Sequence, residues 1–301
     1  MPAGRFAPSP TADLHLGNLR TALVAWLFAR ASQSRFVIRI DDLDPEAPVA
    51  RFAPRQLHDL RRLGLDWDGP PEYQRQHRAR HDAAIDRLTA AGLTYPCWCS
   101  RRDIRQAAVA PHPGSPRGAY PGTCRRLGAP ERAEREASGR PSALRLDAGG
   151  PTVTVEDRLC GPVTAVVDDL VLRRNDGVPA YNLAVVVDDD AQQIGQVVRG
   201  DDLLSSTPRQ VHLARLLGLE IPTYAHVALV LGPDGARLAK RDGAVTLADR
   251  LARGEGPDQV RGLLAASLGL SRPGEAVSPD QLVARFDPDR LDRQPWTLLD
   301  G

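Results

Sequence analysis

Lysine is almost missing from this chain: of 39 basic residues among 301, Lys240 is the one lysine. Arginine replaces a generic surface cation well, but it does not reproduce a compact ammonium on a thin stem, so the position that kept its lysine is a candidate for chemistry. Cysteine is scarce too. Four thiols in a chain this long exclude a disulfide framework, and three of them fall between positions 97 and 124, a pattern that favours metal binding in a reducing compartment. Long apolar runs are absent. The stretch 21–31 is far short of the roughly 20 residues of a membrane span. It also follows Asp13 and a proline-rich opening, unlike a secretory signal. A buried helix in a cytoplasmic protein, with no membrane partner, is the expectation. The net charge of +1 excludes a strongly basic nucleic-acid coat. A local basic stretch holding Arg101, Arg102, Arg105, Arg117, Arg125 and Arg126 leaves RNA contact open, alongside the plainer reading of a solvated surface. An apolar fraction of 42% and a charged fraction of 26% exclude disordered and fibrous classes.

What is present reads as an α/β chain. Arg5-Phe6-Ala7-Pro8-Ser9-Pro10 is a short strand running into a proline-stiffened turn. Leu19, Leu23, Trp26, Leu27 and Ala31 then recur at helical spacing from about position 17. A second buried strand, 36–40, stops at Asp41-Asp42-Leu43-Asp44-Pro45. Strand, turn, helix, strand opens a Rossmann-type doubly wound parallel sheet. Helices are expected over 54–65 and 77–92. From 97 to about 150 the chain is rich in Pro, Gly, Arg and Cys without a period, which reads as an inserted subdomain. Strands are expected at 152–155, 163–173, 193–198 and 227–231, with a helix over 208–217. Beyond 246 short helices follow, with no sheet pattern. The division that results is 1–92, first half of the sheet; 93–178, inserted subdomain; 179–236, second half; and 237–301, a lysine loop and a short helical region.

Two segments carry candidate chemistry. His15-Leu16-Gly17-Asn18 lies between a strand end and a helix start, where free N–H groups and the positive end of the helix dipole favour a phosphate, and Gly17 admits it close to the backbone. Alone, His-x-Gly is a common loop sequence. Arg237-Leu238-Ala239-Lys240-Arg241 follows an expected buried strand, at the carboxyl edge where such sheets place ligands. A lysine there neutralises charge spreading onto a departing pyrophosphate. A solvated basic turn is the plainer reading, and the uniqueness of Lys240 opposes it. Cys97-x-Cys99 and Cys124 are spaced for a structural metal site whose fourth ligand stays open among Tyr120, His112 and water. Cys160 reads as an inert core thiol.

The early His-x-Gly-x and the late lysine-centred pentapeptide together resemble the class I aminoacyl-tRNA synthetases. The blocks between them narrow the resemblance to the glutamyl branch: Arg5 to Thr11, Arg39-Ile40-Asp41-Asp42-Leu43-Asp44, Tyr181-Asn182-Leu183-Ala184, Val198-Arg199-Gly200-Asp201-Asp202-Leu203, and Thr207-Pro208-Arg209-Gln210. The likeness runs from Arg5 to about Ala244. Only 60 residues follow Arg241, whereas full-length members carry a large helical anticodon-gripping domain there, so the chain resembles the short branch of the family.

The resemblance implies ATP-dependent activation of L-glutamate to its adenylate, with Mg2+ accompanying ATP, and transfer to the queuosine base in the anticodon loop of tRNA(Asp). A monomer is expected. It assigns ATP to His15, Gly17, Asn18 and Lys240, with His15 and Lys240 catalytic. Glutamate falls to Arg5, Phe6, Ala7, Pro8, Ser9, Asp41, Tyr181 and Arg199, and one structural Zn2+ to Cys97, Cys99, Tyr120 and Cys124. Arg5, Tyr181 and Arg199 are to read carboxylates, while Ser9 and Asp41 take the ammonium. Three positions depart from the family pattern: Asp41 stands for a longer glutamate, Ala239 for a serine, and Asn18 for a histidine. Two other readings remain: a truncated glutamyl-tRNA synthetase that charges an acceptor end, and a non-catalytic RNA-binding paralogue.

Overall fold

The computed structural model describes residues 2–100, 102–104, 119–236, 238 and 245–298. The opening strand β1, Ala3–Phe6, is buried along its whole length, as a strand covered on both faces must be. It leads through a proline turn into α1, Leu16–Ala31, whose side chains are buried on nearly every side. Then come β2 (Phe36–Ile40), α2 (Val49–Arg62), β3 (Glu72–Tyr73), α3 (Arg78–Ala90) and β4 (Thr94–Cys97). Strands β5 (Ala143–Leu146), β6 (Thr152–Asp157), β7 (Gly161–Val166) and β8 (Val171–Arg173) follow. Helix Tyr181–Ala191, β9 (Ile194–Gly200), helix Thr207–Leu217, β10 (Thr223–Val227) and β11 (Val230–Leu231) complete the core, and three short helices precede β12, Trp296–Thr297.

Seven strands form one sheet in the order β3-β2-β1-β9-β10-β6-β7. Every neighbouring pair in it is parallel except the β6-β7 hairpin. The order reverses between β1 and β9, which opens a crevice at the strands' carboxyl ends between the two halves. One core lies between the sheet, α1, α2 and the C-terminal helices; a second lies on the other face beneath α3, Tyr181–Ala191 and Thr207–Leu217. The α/β class with a mostly parallel central sheet is therefore as expected. Of the stretch expected as an insert, β4, β5 and β8 make a separate antiparallel sheet, whereas β6 and β7 extend the central one.

Several expectations need correction. Helix α2 begins at Val49, ahead of Pro54, which sits inside it; burial of Val49 and Ala53 in the core outweighs the missing N–H. The expected strand 227–231 is two elements: β10 in the central sheet and β11 in a small parallel pair with β12, so the C-terminal region has a sheet contact after all. The aperiodic stretch contains a helix, Ala129–Ala137, with no buried residue and hence no apolar period to detect. Cys160 is exposed, because it follows the buried Leu159 at the turn of the β6-β7 hairpin. No described helix is long and apolar enough to cross a membrane.

Candidate active site

The crevice is a cavity of about 470 Å³, and it gathers residues from distant parts of the chain: Arg5, Phe6, Ala7, Pro8, Ser9, His15, Gly17, Asn18, Asp41, Tyr181 and Arg199 all line it. Of the residues expected to bind ATP or glutamate, Lys240 alone is not placed, since it lies outside the described residues with Arg237, Ala239 and Arg241. The chain before it reaches the cavity, and the chain after it reaches the first turn of α1. Leu238 lines it and donates its N–H to the Val230 carbonyl at 3.2 Å. Past the undescribed stretch, the Val245 carbonyl accepts from Leu16 N–H at 2.9 Å, and Thr246 bridges to His15.

At this end the cavity is lined by His15, Gly17 and Asn18 of the first turn of α1, together with Leu229, Val230 and Leu238. His15 caps α1: its Nδ1 accepts from the Asn18 N–H at 3.3 Å, and the Asn18 Oδ1 accepts from the His15 N–H at 3.3 Å. With Nδ1 engaged as an acceptor, the neutral ring carries its proton on Nε2, a donor. A side chain at Gly17 would put its Cβ 3.0 Å from the ring, tighter than most such contacts, so a larger residue there would push the imidazole by a few tenths of an ångström. The departure at Asn18 thus has a function of its own, closing the cap.

The other end is made of buried charge. Arg5 donates through Nε and Nη2 to the two oxygens of Asp189, both at 3.2 Å, and through Nη1 to the Val198 carbonyl. Arg39 reaches Asp189 through Nη1 at 2.5 Å and Asp41 through Nε at 2.8 Å. Burial pushes Asp41 up to about 6, against the pull of Arg39. Burial would also raise Asp189, but the two guanidiniums outweigh it and hold that carboxyl below its usual range. Arg199 is fixed by neutral acceptors: Nε donates to His226 Nε2 at 3.0 Å and Nη2 to Thr207 Oγ1 at 2.9 Å. Its Nη1 is buried and has no hydrogen-bond partner among the described residues.

Asp189 and His226 were missed in the sequence. A signal for the first exists: Asp188, Asp189 and Asp190 crowd the C-terminal end of a helix with no basic residue in its last turn, where the dipole disfavours acids. Such a run asks for cations from elsewhere. Asp188 obtains His81 at 2.8 Å and Arg80 at 3.5 Å, and Asp189 obtains Arg5 and Arg39. His226, inside a buried strand, carries no comparable signal.

The three grouped thiols come together as expected. Cys97, Cys99 and Cys124 bring their sulfurs within 4.8 Å of one another, spaced to hold a metal ion. Tyr120 Oη lies 3.4 Å from Cys97 Sγ and 3.6 Å from Cys99 Sγ. Arg145 Nε donates to Cys97 Sγ at 3.2 Å, and its guanidinium lies 3.8 Å from the Tyr120 ring centroid. His112 lies outside the described residues, as do Arg101, Arg105 and Arg117 of the basic stretch. Arg125 of that stretch pairs with Asp147 and Asp169.

A doubly wound sheet carrying a histidine-capped helix and an amino-acid-sized set of buried charges at its switch point defines an α/β enzyme of the class I synthetase kind. The family model for class I tRNA synthetases (E and Q), catalytic domain, matches residues 3–280, and the chain belongs to this family of ligases, with a glutamyl-tRNA synthetase-like function. It is 63% identical over 300 residues to a glutamyl-Q tRNA(Asp) synthetase of Nocardia farcinica, covering 99% of this chain and 94% of the relative. It is 38% identical to a glutamate-tRNA ligase of Dichelobacter nodosus, covering 98% of this chain but 63% of that protein. A solved glutamate tRNA ligase from Elizabethkingia meningosepticum, in complex with its amino acid, superposes with a TM-score of 0.81 at 26% identity, covering 98% of this chain and 66% of that one.

Proposed function

We propose that the chain activates L-glutamate with Mg-ATP and transfers the glutamyl group to the queuosine base in the anticodon loop of tRNA(Asp). The observation that carries this reading is the 63% identity, along nearly the whole of both chains, to a relative that bears that activity in its name. In the first step the glutamate α-carboxylate attacks the α-phosphorus of ATP, and pyrophosphate leaves. The nucleophile is already ionised at neutral pH, so no general base is required. Catalysis is placement and charge neutralisation. His15 donates through Nε2 to the phosphates, and Lys240, two positions beyond the cavity-lining Leu238, meets the charge of the leaving pyrophosphate. Arg5, Tyr181 and Arg199 read the carboxylates; Ser9 and Asp41 take the ammonium. In the second step a hydroxyl of the queuosine cyclopentenediol attacks the mixed anhydride, forming an ester and releasing AMP.

Zinc fits the cysteine cluster. Tetrahedral zinc, with Zn–S near 2.3 Å and Zn–O near 2.0 Å, needs ligand-to-ligand edges of roughly 3.5–3.8 Å. Cys99 and Cys124 sulfurs stand 3.5 Å apart, the Tyr120 oxygen stands 3.4 and 3.6 Å from the sulfurs of Cys97 and Cys99, and all three sulfurs lie within 4.8 Å of one another. Cys97, Cys99, Tyr120 and Cys124 would hold it as a structural ion between β4 and the turn Cys124–Arg126. We assign this small sheet and the chain around it to RNA contact, and read the enzyme as a cytoplasmic monomer. Elemental analysis tests the metal: wild type carries one equivalent of zinc, and Cys124→Ser carries none.

The function is tested by incubating the protein with labelled glutamate, ATP and tRNA(Asp) with or without queuosine. Label enters only the queuosine-bearing RNA and is abolished when periodate destroys the diol. Label in unmodified tRNA(Glu) instead would establish charging of an acceptor end.

A further inference from the structure

Behind Arg199 lies a chain of buried groups whose order has a chemical direction. Arginine has no acceptor, so the His226 Nε2 that faces Arg199 Nε at 3.0 Å is the acceptor. The ring proton then sits on Nδ1, which faces Asp157 Oδ2 at 2.6 Å. Asp157 is itself locked, because its Oδ1 accepts from the backbone N–H groups of Leu159, Cys160 and His226 at 3.0, 2.9 and 3.2 Å. Thr207 Oγ1 accepts from Arg199 and lies 3.3 Å from His226 Nε2, completing the clamp. Among the described residues Arg199 pairs with no carboxylate, in contrast to Arg5, which Asp189 neutralises.

We infer that Asp157 and His226 are positioning residues for substrate recognition: the carboxylate fixes the imidazole with its proton on Nδ1, and Nε2 holds the Arg199 guanidinium toward the cavity with its charge uncompensated. This rests on the proposed glutamate activation, and it supplies what that reading leaves unexplained, namely how a buried arginine keeps both a fixed direction and a charge to offer a ligand carboxylate. The groups that face His226 are consistent with a neutral ring. They are Asp157 and the Cys160 thiol from the β6-β7 turn, Arg199 from β9, Asp201 from the short helix Asp201–Ser206, Thr207, and Tyr224 stacked at 6.2 Å. Burial is the largest influence and keeps the ring's pKa below 6.5, with Arg199 adding to it against Asp157 and Asp201. The device uses the hairpin that joins the central sheet, so an element far from the cavity in sequence orients a residue lining it.

Asp157→Asn is the decisive variant because it keeps the shape. The three backbone N–H groups hold the amide oxygen on the Oδ1 side, so the amide nitrogen turns to His226 Nδ1, which must become an acceptor. The proton moves to Nε2, and two donors then face each other at Arg199. In glutamate-dependent exchange of pyrophosphate into ATP, Asp157→Asn should raise KM for glutamate by about tenfold or more, leave KM for ATP within about twofold, and narrow the preference for glutamate over glutamine. His226→Gln keeps an acceptor near the Nε2 position and has no tautomer to flip, so adding Asp157→Asn to it should change KM by less than about twofold. Nitrogen-15 NMR of labelled histidine should show His226 protonated on Nδ1 in wild type at pH 7, a measurement independent of whether any variant folds. A wild-type KM in Asp157→Asn, additive effects in the double variant, or an Nε2-protonated ring in wild type would each overturn the inference. Absence of exchange in the wild type would overturn the proposed function instead, leaving the tautomer to decide the positioning role.

Discussion

Two ends of one cavity are built from different materials. Where glutamate is proposed to sit, the wall is side-chain charge, Arg5 from β1, Asp41 just past β2 and Arg199 from β9, with Arg39 and Asp189 paired behind it. Where the phosphates are proposed to sit, the walls include the capped first turn of α1 and Leu238 at the start of the lysine loop. A small ligand with fixed charges is read by groups already oriented for it, since reorienting them on binding would cost affinity. Charge that develops only as pyrophosphate departs is met by a helix dipole and by donors whose worth appears in the transition state. The first end should therefore govern stability and glutamate KM, and the second should govern turnover.

The largest effect expected is at Asp189. This single carboxylate compensates two buried guanidiniums, so Asp189→Ala leaves Arg5 and Arg39 without it and should cost about 3–5 kcal/mol of folding stability. Denaturant titration measures this. A loss under about 1 kcal/mol would mean that the pairs contribute little and that the two ends do not differ as described. Next is Lys240→Ala, expected to lower kcat for pyrophosphate exchange by about 10²–10³-fold with the fold and glutamate KM preserved, the usual consequence of removing one transition-state donor. Exchange surviving within about tenfold would remove the lysine from the chemistry.

A smaller effect separates the ends by pH. Asp41, pushed by burial up to about 6, must be ionised to take an ammonium. Its charged form prevails above that value and is lost below it, so kcat/KM for glutamate should be level above pH 6 and fall about tenfold per unit beneath. The kcat at saturating glutamate should bend less, because a bound ammonium favours the carboxylate. An acid limb unchanged in Asp41→Asn would assign it to another group.

The parallel core was legible because its strands are short continuous apolar runs and α1 shows helical spacing. The His15 turn was legible from its place between a strand end and a helix start, whereas Arg5 to Ser9 and Arg199 were legible only through the family resemblance that their blocks carry; the fold brings them together. What stayed hidden depends on partners distant in the chain. Asp189 meets Arg5 from 184 positions away, and His226 meets Asp157 from 69. Neither distance leaves a local period. The β6-β7 hairpin falls within the 93–178 stretch expected as the insert, yet it pairs with β10, because strand alternation specifies a face to bury and not the sheet that buries it.

The smallest effect tests whether the phosphate end is preformed. Asn18 replaces the histidine usual in the family, and in this chain it reciprocates the His15 cap through its side-chain oxygen. Asn18→Ala removes one half of that capping box while the Asn18 N–H, a backbone donor, still reaches His15 Nδ1. The stability cost should be near 1 kcal/mol, as for other lost caps. If the ring direction depends on the reciprocal bond, KM for ATP rises by a few fold alongside. If stability falls while ATP kinetics stay put, the backbone N–H of Asn18 suffices to hold the imidazole, and the side-chain half of the cap is dispensable for the phosphate end. Glutamate KM should not move in either case.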